Sequence, residues 1–449
     1  VNQGGFKMKR KGKLTLLGSI FMILTVAITW TPASAVETIR IGGMDMMTGT
    51  MADYGWMMKV GGELAVEHLN AAGGLLGKKV EMKFMDSEWN PQTGVKNAEY
   101  LTRDYGAKLI YGFSSDVVPG AIIPHLERLD AILIHSHSAV QSLTEEMVYK
   151  KGYKYYFRNC VSVVQDGNVP AAFFSKWPDI KTYATLDAWQ YGDDATKFFG
   201  EYVAKVRPDM KKVADVNFEF GHVNFAPELS AIAAKKPNLI MTTAPGGMGI
   251  AAIRQALIMG LFDQPWLKAF FVAMGNHTGV ARAIYKDLKA GKFNGKMWGS
   301  ARYIWNANDR PANVKFWKAF LKKHKRYPSY PAGLGYSSIM IWADAVKKAQ
   351  STDPKKLIPV LEGYTSNDLP IGEASDDPVF IMRASDHQGL YTTPLGRYVY
   401  DPKLPVEKIG VLTDFSDIPW QEYYRHPPDF TNPPHDKAYV DKWYKLGKQ

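Results

Sequence analysis

Residues 38–86 read TIRIGGMDMMTGTMADYGWMMKVGGELAVEHLNAAGGLLGKKVEMKFMD, and this stretch decides the fold. Thr38-Ile39-Arg40-Ile41-Gly42 is short, rich in β-branched residues and closed by glycine, which predicts a strand. The turn Asp45–Thr50 follows it. In Gly61–Asn70 the apolar Leu64, Ala65, Val66 and Leu69 stand among polar Glu63, Glu67 and His68 at the spacing of an amphipathic helix. Gly73-Gly74 ends that helix. Val80–Asp86 alternates apolar and polar residues and predicts a second strand. Strand, helix and strand in this order make a βαβ unit, whose two strands run parallel.

The same alternation continues downstream. Strands are expected at 108–111 and 131–134, with helices at 92–105 and 121–129. A second series follows, with strands at 181–186, 213–220, 238–243 and 269–273 and helices at 193–206, 225–234 and 250–259. The fold class is therefore α/β: parallel sheets covered by helices, in two lobes. In such sheets ligands sit beyond the carboxyl ends of the strands, and a cleft between lobes is a natural place for a small molecule. The loops 45–53, 112–116 and 135–141 are thus the ones to read for function. From Met297 the pattern changes, with a strand expected at 298–305 and helices at 313–324 and 336–349. Residues 402–449 are rich in proline and aromatic residues; they are expected to form a tail that wraps over the surface through Trp420, Tyr423, Tyr424, Trp443 and Tyr444.

Upstream, Met8–Lys13 is basic, Leu14–Ile28 is apolar and Ala33-Ser34-Ala35 has the form of a cleavage site. The apolar run is shorter than the ~20 residues of a spanning helix, so it reads as an export signal removed after Ala35. Lys7, Lys9, Arg10, Lys11 and Lys13 would leave with it, so much of the formal charge of +11 belongs to targeting and gives no support to nucleic-acid binding. Cys160 is the only cysteine, which excludes an internal disulfide; it reads as a buried small hydrophobe. No G-x-S-x-G, P-loop, HExxH or CxxC motif is present. His135-Ser136-His137 has no acid or thiol beside it and reads as a hydrogen-bonding loop, and Asp386-His387 as a structural pair. No catalytic residue, metal site or cofactor is expected. The basic run Lys322–Arg326 reads as a solvated helix end.

A set of motifs then carries a family likeness. Met47-Thr48-Gly49-Thr50-x-Ala52-x-Tyr54-Gly55, the helix ending Asn70–Gly77, and Asn90-Pro91 come first in order. Gly112-x-Ser114-Ser115, Asp187-x-x-x-Tyr191-Gly192 and Ile253–Ala256 before Gly260-Leu261 follow, and Met382–Gln388 matches a late strand. Together they resemble the periplasmic leucine/isoleucine/valine-binding family, the type I solute-binding proteins of ABC transporters. The resemblance implies a two-lobed fold whose chain crosses between lobes three times, placed near Arg158, Gly275 and Gly372. Residues 36–157 and 276–371 would form one lobe, and 158–275 and 372–401 the other. It further implies a monomer that captures a small solute without covalent chemistry and docks on a membrane permease.

The ligand set implied by the resemblance is Tyr54, Ser114, Ser115, His135, His137, Ser138, Ala139, Tyr191, Gly246, Met274 and Asn276, with Tyr336 at the start of a later helix. Three positions depart from the family's amino-acid binders: Met274 stands where an acid pairs with the ligand ammonium, Ala139 replaces a hydroxyl residue, and Pro245-Gly246 offers only small side chains. A buried ammonium without a carboxylate is costly. The departures therefore favour a small carboxylate, amide or aromatic compound over an α-amino acid. The alternatives are a sensory module of the same fold, branched-chain amino-acid binding and, ranked lowest on the missing motifs, an exported enzyme.

Overall fold

The computed structural model describes residue 1 and residues 37–219, 221–273, 277–374, 376–404, 409–416 and 418–420. The expected export signal and the segment from 421 onward, with Tyr423, Tyr424, Trp443 and Tyr444, lie outside the described residues.

The first sheet holds β1 (Ile39–Asp45), β2 (Val80–Asp86), β3 (Leu109–Gly112), β4 (Ile132–His135) and β5 (Tyr156–Arg158), all parallel, in the order β2-β1-β3-β4-β5. Between them run α1 (Ala52–Ala71), α2 (Pro91–Glu99), α3 (Val117–Ile122) and α4 (Leu126–Leu129). β3 and β4 are buried along their whole length, as strands covered on both faces must be. The start of α2 follows from its sequence: the Asn90 side chain accepts from the backbone N–H groups of Gln92 and Thr93, and Pro91 takes the first helical position.

The second sheet has seven strands. It is reached through α5 (Val163–Ser175). β6 (Thr182–Ala188), β7 (Lys211–Phe218), β8 (Leu239–Thr242), β9 (Ala269–Val272) and β10 (Met297–Ser300) run parallel, separated by α6 (Trp189–Val206), α7 (Ala226–Ala234), α8 (Gly246–Ile258), α9 (His277–Ala283) and α10 (Tyr285–Lys289). The chain then forms α11 (Pro311–His324), α12 (Tyr330–Ala349) and α13 (Pro354–Leu361), and a small antiparallel sheet of β11 (Thr365–Ser366), β12 (Phe380–Met382) and β13 (Gly389–Leu390). It returns to the second sheet as β14 (Leu395–Tyr400) and β15 (Gly410–Thr413), giving the order β15-β14-β10-β9-β8-β6-β7. Among the described residues no helix is long and apolar enough to cross a membrane.

Three placements differ from the sequence reading. The described residues 277–300 do not return to the first lobe, because β10 pairs with β9 and Trp298 packs on Trp177 at 5.2 Å and Phe173 at 5.3 Å between ring centroids. The second crossing therefore follows Ser300 and not Gly275. The third follows Leu390, where the chain leaves the small sheet for β14, while Gly372 makes a turn at φ 81°. The expected tail is integral in part: 410–413 is a sheet strand, and the buried Trp420 donates its N–H to Thr392 Oγ1 at 3.0 Å.

The basic run is also more engaged than a solvated end. Arg326 pairs with Asp53 at 3.1 Å and lies over the Trp56 ring at 4.8 Å, and Lys323 pairs with Glu67. These contacts join the end of α11 to α1. α12 is buried along most of its length against α1, and that approach needs glycine. A Cβ on Gly61 would stand 2.2 Å from the Ala332 carbonyl oxygen, and one on Gly335 would stand 2.8 Å from the Met58 carbonyl oxygen.

Candidate functional site

A cavity of about 80 Å³ lies at the strand ends of the two large sheets. Met51 and Tyr54 reach it from the segment after β1, Trp89 from after β2, Ser114 and Asp116 from after β3, and His137 and Ser138 from after β4. From the second lobe come Tyr191 after β6, Thr243 and Pro245 after β8, Ala273 after β9 and Arg302 after β10. Tyr330, at the start of α12, completes the wall. The topology alone explains this convergence, because every parallel strand delivers its following loop to the same edge.

A buried hydrogen-bond chain runs along the first-lobe side. Asp45 accepts from the backbone N–H of Met46 at 2.8 Å, from Ser114 N–H at 2.8 Å and from the Ser114 hydroxyl at 2.9 Å. A carboxylate only accepts, so the Ser114 proton goes to Asp45. Ser114 Oγ must then accept from His137 Nδ1–H, 2.7 Å away, which leaves His137 Nε2 to accept the Tyr330 hydroxyl. Burial, with Arg302 adding to it, holds His137 well below the usual imidazole range, so the ring is neutral. Burial also pushes Asp45 up to about 6, against the opposing Ser114 hydrogen bond. Tyr54 stacks on His137 at 4.9 Å, and Tyr330 meets the same imidazole edge-on at 4.8 Å.

The second-lobe side is built on an ion pair. Arg302, 3% exposed, pairs through Nη2 with Asp166 Oδ2 at 2.5 Å and donates from Nη1 to the His137 carbonyl. Tyr191 donates its hydroxyl to the same Asp166 oxygen at 2.8 Å. Arg302 Nε and Asp166 Oδ1 are buried with no hydrogen-bond partner among the described residues. Asp116 accepts from the Ser138 hydroxyl and, at 3.1 Å, from Val140 N–H. Burial raises both Asp116 and Asp166, against the hydrogen bonds and the Arg158 and Arg302 guanidiniums, which lower them.

This geometry suits binding and does not activate a nucleophile. Ser114 gives its proton to Asp45 and receives one from His137, the reverse of the serine–histidine order that nucleophilic catalysis needs. Cys160, its thiol pushed up to about 12 by burial, donates to the Ser138 carbonyl at 3.1 Å. Asp386 holds Arg383 at 2.7 Å, and His387 stacks on Phe157 at 4.0 Å, so that pair is structural.

Of the residues expected from the sequence, Tyr54, Ser114, His137, Ser138 and Tyr191 line the cavity. Gly246 borders it, since a Cβ there would lie 3.6 Å from the Tyr54 ring. Ser115 instead accepts from Val118 N–H at the start of α3. His135 is fully buried between Tyr156 Oη and the Phe113 carbonyl, because it ends β4 pointing into the core. Ala139 is buried with Val163, Val164 and Phe198, and Tyr336 is buried where it bonds His68 of α1 at 2.9 Å. Met274 and Asn276 lie outside the described residues. Sequence reasoning missed Arg302, Asp116, Trp89, Thr243 and Tyr330. Asp116 lay within a loop already marked by its strand end, and its charge was the available signal.

Comparison with known proteins agrees with this geometry. The family model described as periplasmic binding protein matches residues 38–398. The leucine-, isoleucine-, valine-, threonine- and alanine-binding protein of Pseudomonas aeruginosa is 27% identical over 362 residues, covering 78% of this chain and 88% of that relative. Among solved structures, the amino acid ABC transporter substrate-binding protein of Pseudomonas fluorescens Pf-5 superposes with a TM-score of 0.72 at 18% identity, over 85% of this chain and 96% of the other. A solute-binding protein of an ABC transporter from Rhodopseudomonas palustris BisB5, in complex with 3,4-dihydroxybenzoic acid, superposes at 0.68 with 19% identity, over 85% and 97%.

Proposed function

The chain belongs to the periplasmic binding protein family, and from that premise we propose that it is the exported substrate-binding component of an ABC import system. It takes a small organic solute between its lobes and presents it to a membrane permease. The observation that carries this reading is the cavity itself: both lobes contribute residues to it, and all but Tyr330 follow a parallel strand. Its volume of about 80 Å³ is small against the ~300–1,000 Å³ of drug-sized sites, which favours a compact solute. Tyr54, Trp89, Tyr191 and Tyr330 supply flat apolar surface with polar edges, which suits an aromatic or otherwise planar body. The R. palustris neighbour, captured with an aromatic acid, points the same way.

Branched-chain amino-acid binding is the second reading. It is favoured by the P. aeruginosa relative and by Asp116, a carboxylate that the cleft does offer to an ammonium. A thermal-shift screen against amino acids, aromatic acids, amides and dicarboxylates separates the two, since a ligand that binds only the native state raises its melting temperature. A shift with aromatic acids or amides and none with leucine or valine supports the first reading. The reverse overturns it, and a flat response to the whole panel overturns the assignment as a binding component.

A further inference from the structure

We infer that Trp89 is a specificity-determining residue, which caps the apolar end of the solute and limits its length. This rests on the cleft being the solute site. The strand order places Trp89 at one end of that cleft. In the first sheet, β2-β1-β3-β4-β5, the chain crosses to the second lobe after β5, so the loop after β2 stands at the edge farthest from that crossing. The cavity wall is polarised along the same row. Met51, Tyr54 and Trp89 follow β1 and β2, whereas the polar Ser114, Asp116 and His137 follow β3 and β4. The second lobe matches this order: Arg302 donates to the His137 carbonyl, while a Cβ on Gly246 would lie 3.6 Å from the Tyr54 ring. A solute with its polar group among the β3 and β4 loops therefore extends its apolar part past Tyr54 and ends against the Trp89 indole.

The backbone holds Trp89 there against its own preference. Glu88 and Trp89 are consecutive residues in the left-handed region, at φ 53° and 54°, where a bulky side chain is rarely found. Asp130, Lys325 and Gln350 share that conformation, but each ends a helix, where it is common. Trp89 instead precedes the Asn90 cap of α2. Asp86 imposes the turn. Its Oδ1 accepts from Glu88 N–H at 2.8 Å and from Met47 N–H at 3.1 Å, and its Oδ2 accepts from the Thr48 hydroxyl at 2.9 Å. One carboxylate thus ties the loop after β1 to the loop after β2. Strain of this kind persists only where surrounding contacts over-determine it, and it collects at ligand sites. Tyr54 and Tyr330 are 2% exposed and packed on His137, inside the wall. Trp89 lines the same cavity and is half-buried, so it stands where the cavity meets solvent.

The experiment measures calorimetric affinities of the purified protein, Trp89→Ala and Trp89→Phe for three matched pairs. These are benzoate with para-propylbenzoate, benzamide with para-propylbenzamide, and norvaline with α-aminooctanoate. Each pair shares its polar group and differs only in the length of its apolar part. In the wild type the shorter member of at least one pair is expected to bind about tenfold or more tightly, the scale on which an apolar wall rejects a misfitting methylene. Trp89→Ala is expected to shrink that ratio about fivefold or more, with the longer member gaining affinity outright, a gain that a merely weakened fold cannot produce. Trp89→Phe keeps a smaller ring on the same backbone and should fall between the two. Equal or reversed affinities within every wild-type pair, a ratio unmoved in Trp89→Ala, or a longer member that gains nothing overturns the inference while leaving the cleft as the solute site. No binding by any member overturns both.

Discussion

Asp45 shows how one buried carboxyl sets the chemistry around it. Its usual value near 3.8 is raised to about 6 by burial, so the folded state holds this proton more tightly than the unfolded chain. The associated stability is fully present below pH 3.8 and is lost as pH rises through about 6, a change of about 3 kcal/mol. Asp45→Asn removes that titration. Its urea midpoint is expected to gain on the wild type as pH rises across this window, and parallel pH profiles of the two proteins would refute the assignment. The aromatic wall makes a separate prediction. Tyr54→Ala and Tyr191→Phe separate burial from hydrogen bonding: the first is expected to weaken solute binding by about 1–3 kcal/mol. The second keeps the ring and removes only the donor to Asp166, so it should cost less in calorimetric affinity; the opposite ranking would place the solute elsewhere. The strand-end rule made Tyr54, Ser114, His137, Ser138 and Tyr191 readable from the sequence. Arg302 was not readable, because its place in the cleft depends on β10 joining the second sheet, a long-range pairing that no local pattern records. Asp166 was hidden differently, as a charge on a helix buried along most of its length.

At the scale of elements, local pattern served best where one side chain period dominates. The expected strand at Val80–Asp86 has the observed bounds, and the strand ends at 108–111 and 131–134 fall within a residue of β3 and β4. The expected helix at 61–70 was too short: α1 begins at Ala52, where Gly55, Met57, Met58, Val60, Gly61 and Gly62 are buried and Asp53, Trp56 and Lys59 mark a partly exposed side. The same burial explains α1 and α12 as a pair. Gly61 faces the Ala332 carbonyl, a backbone atom held by its own helix, so an added methyl cannot be met by a rotamer change. Gly61→Ala improves helix propensity yet is expected to destabilise the protein by about 1–3 kcal/mol through overpacking, measured as a lower urea midpoint. A neutral or raised midpoint would mean that α12 slides freely on α1.

For the whole molecule, the question is what ties the connecting segments together. Arg158, at the end of β5, and Gln388, just before β13, meet as an isolated parallel bridge between the first and third crossings. Arg158 is fully buried, and among the described residues no Asp or Glu takes part in its hydrogen bonds: Nε donates to Gln388 Oε1 at 2.8 Å, Nη1 to the Val140 carbonyl at 2.6 Å and Nη2 to Thr144 Oγ1 at 3.1 Å. Gln388 in turn donates to the carbonyls of Cys160 and Gly389, both at 2.7 Å. A guanidinium held by neutral acceptors depends on each of them, because a buried charge left short of a partner bears the full desolvation cost. Gln388→Leu is therefore expected to lose about 2–3 kcal/mol, as is usual for hydrogen bonds to a charged group. Arg158→Met alone strands Gln388 Oε1 and the Val140 carbonyl, a smaller loss because neither is charged. The double variant replaces both polar ends with apolar groups that fit each other, so its loss should fall well below the sum of the single losses. Urea unfolding of the four proteins measures the coupling directly, and additive losses would show that the two crossings are held independently.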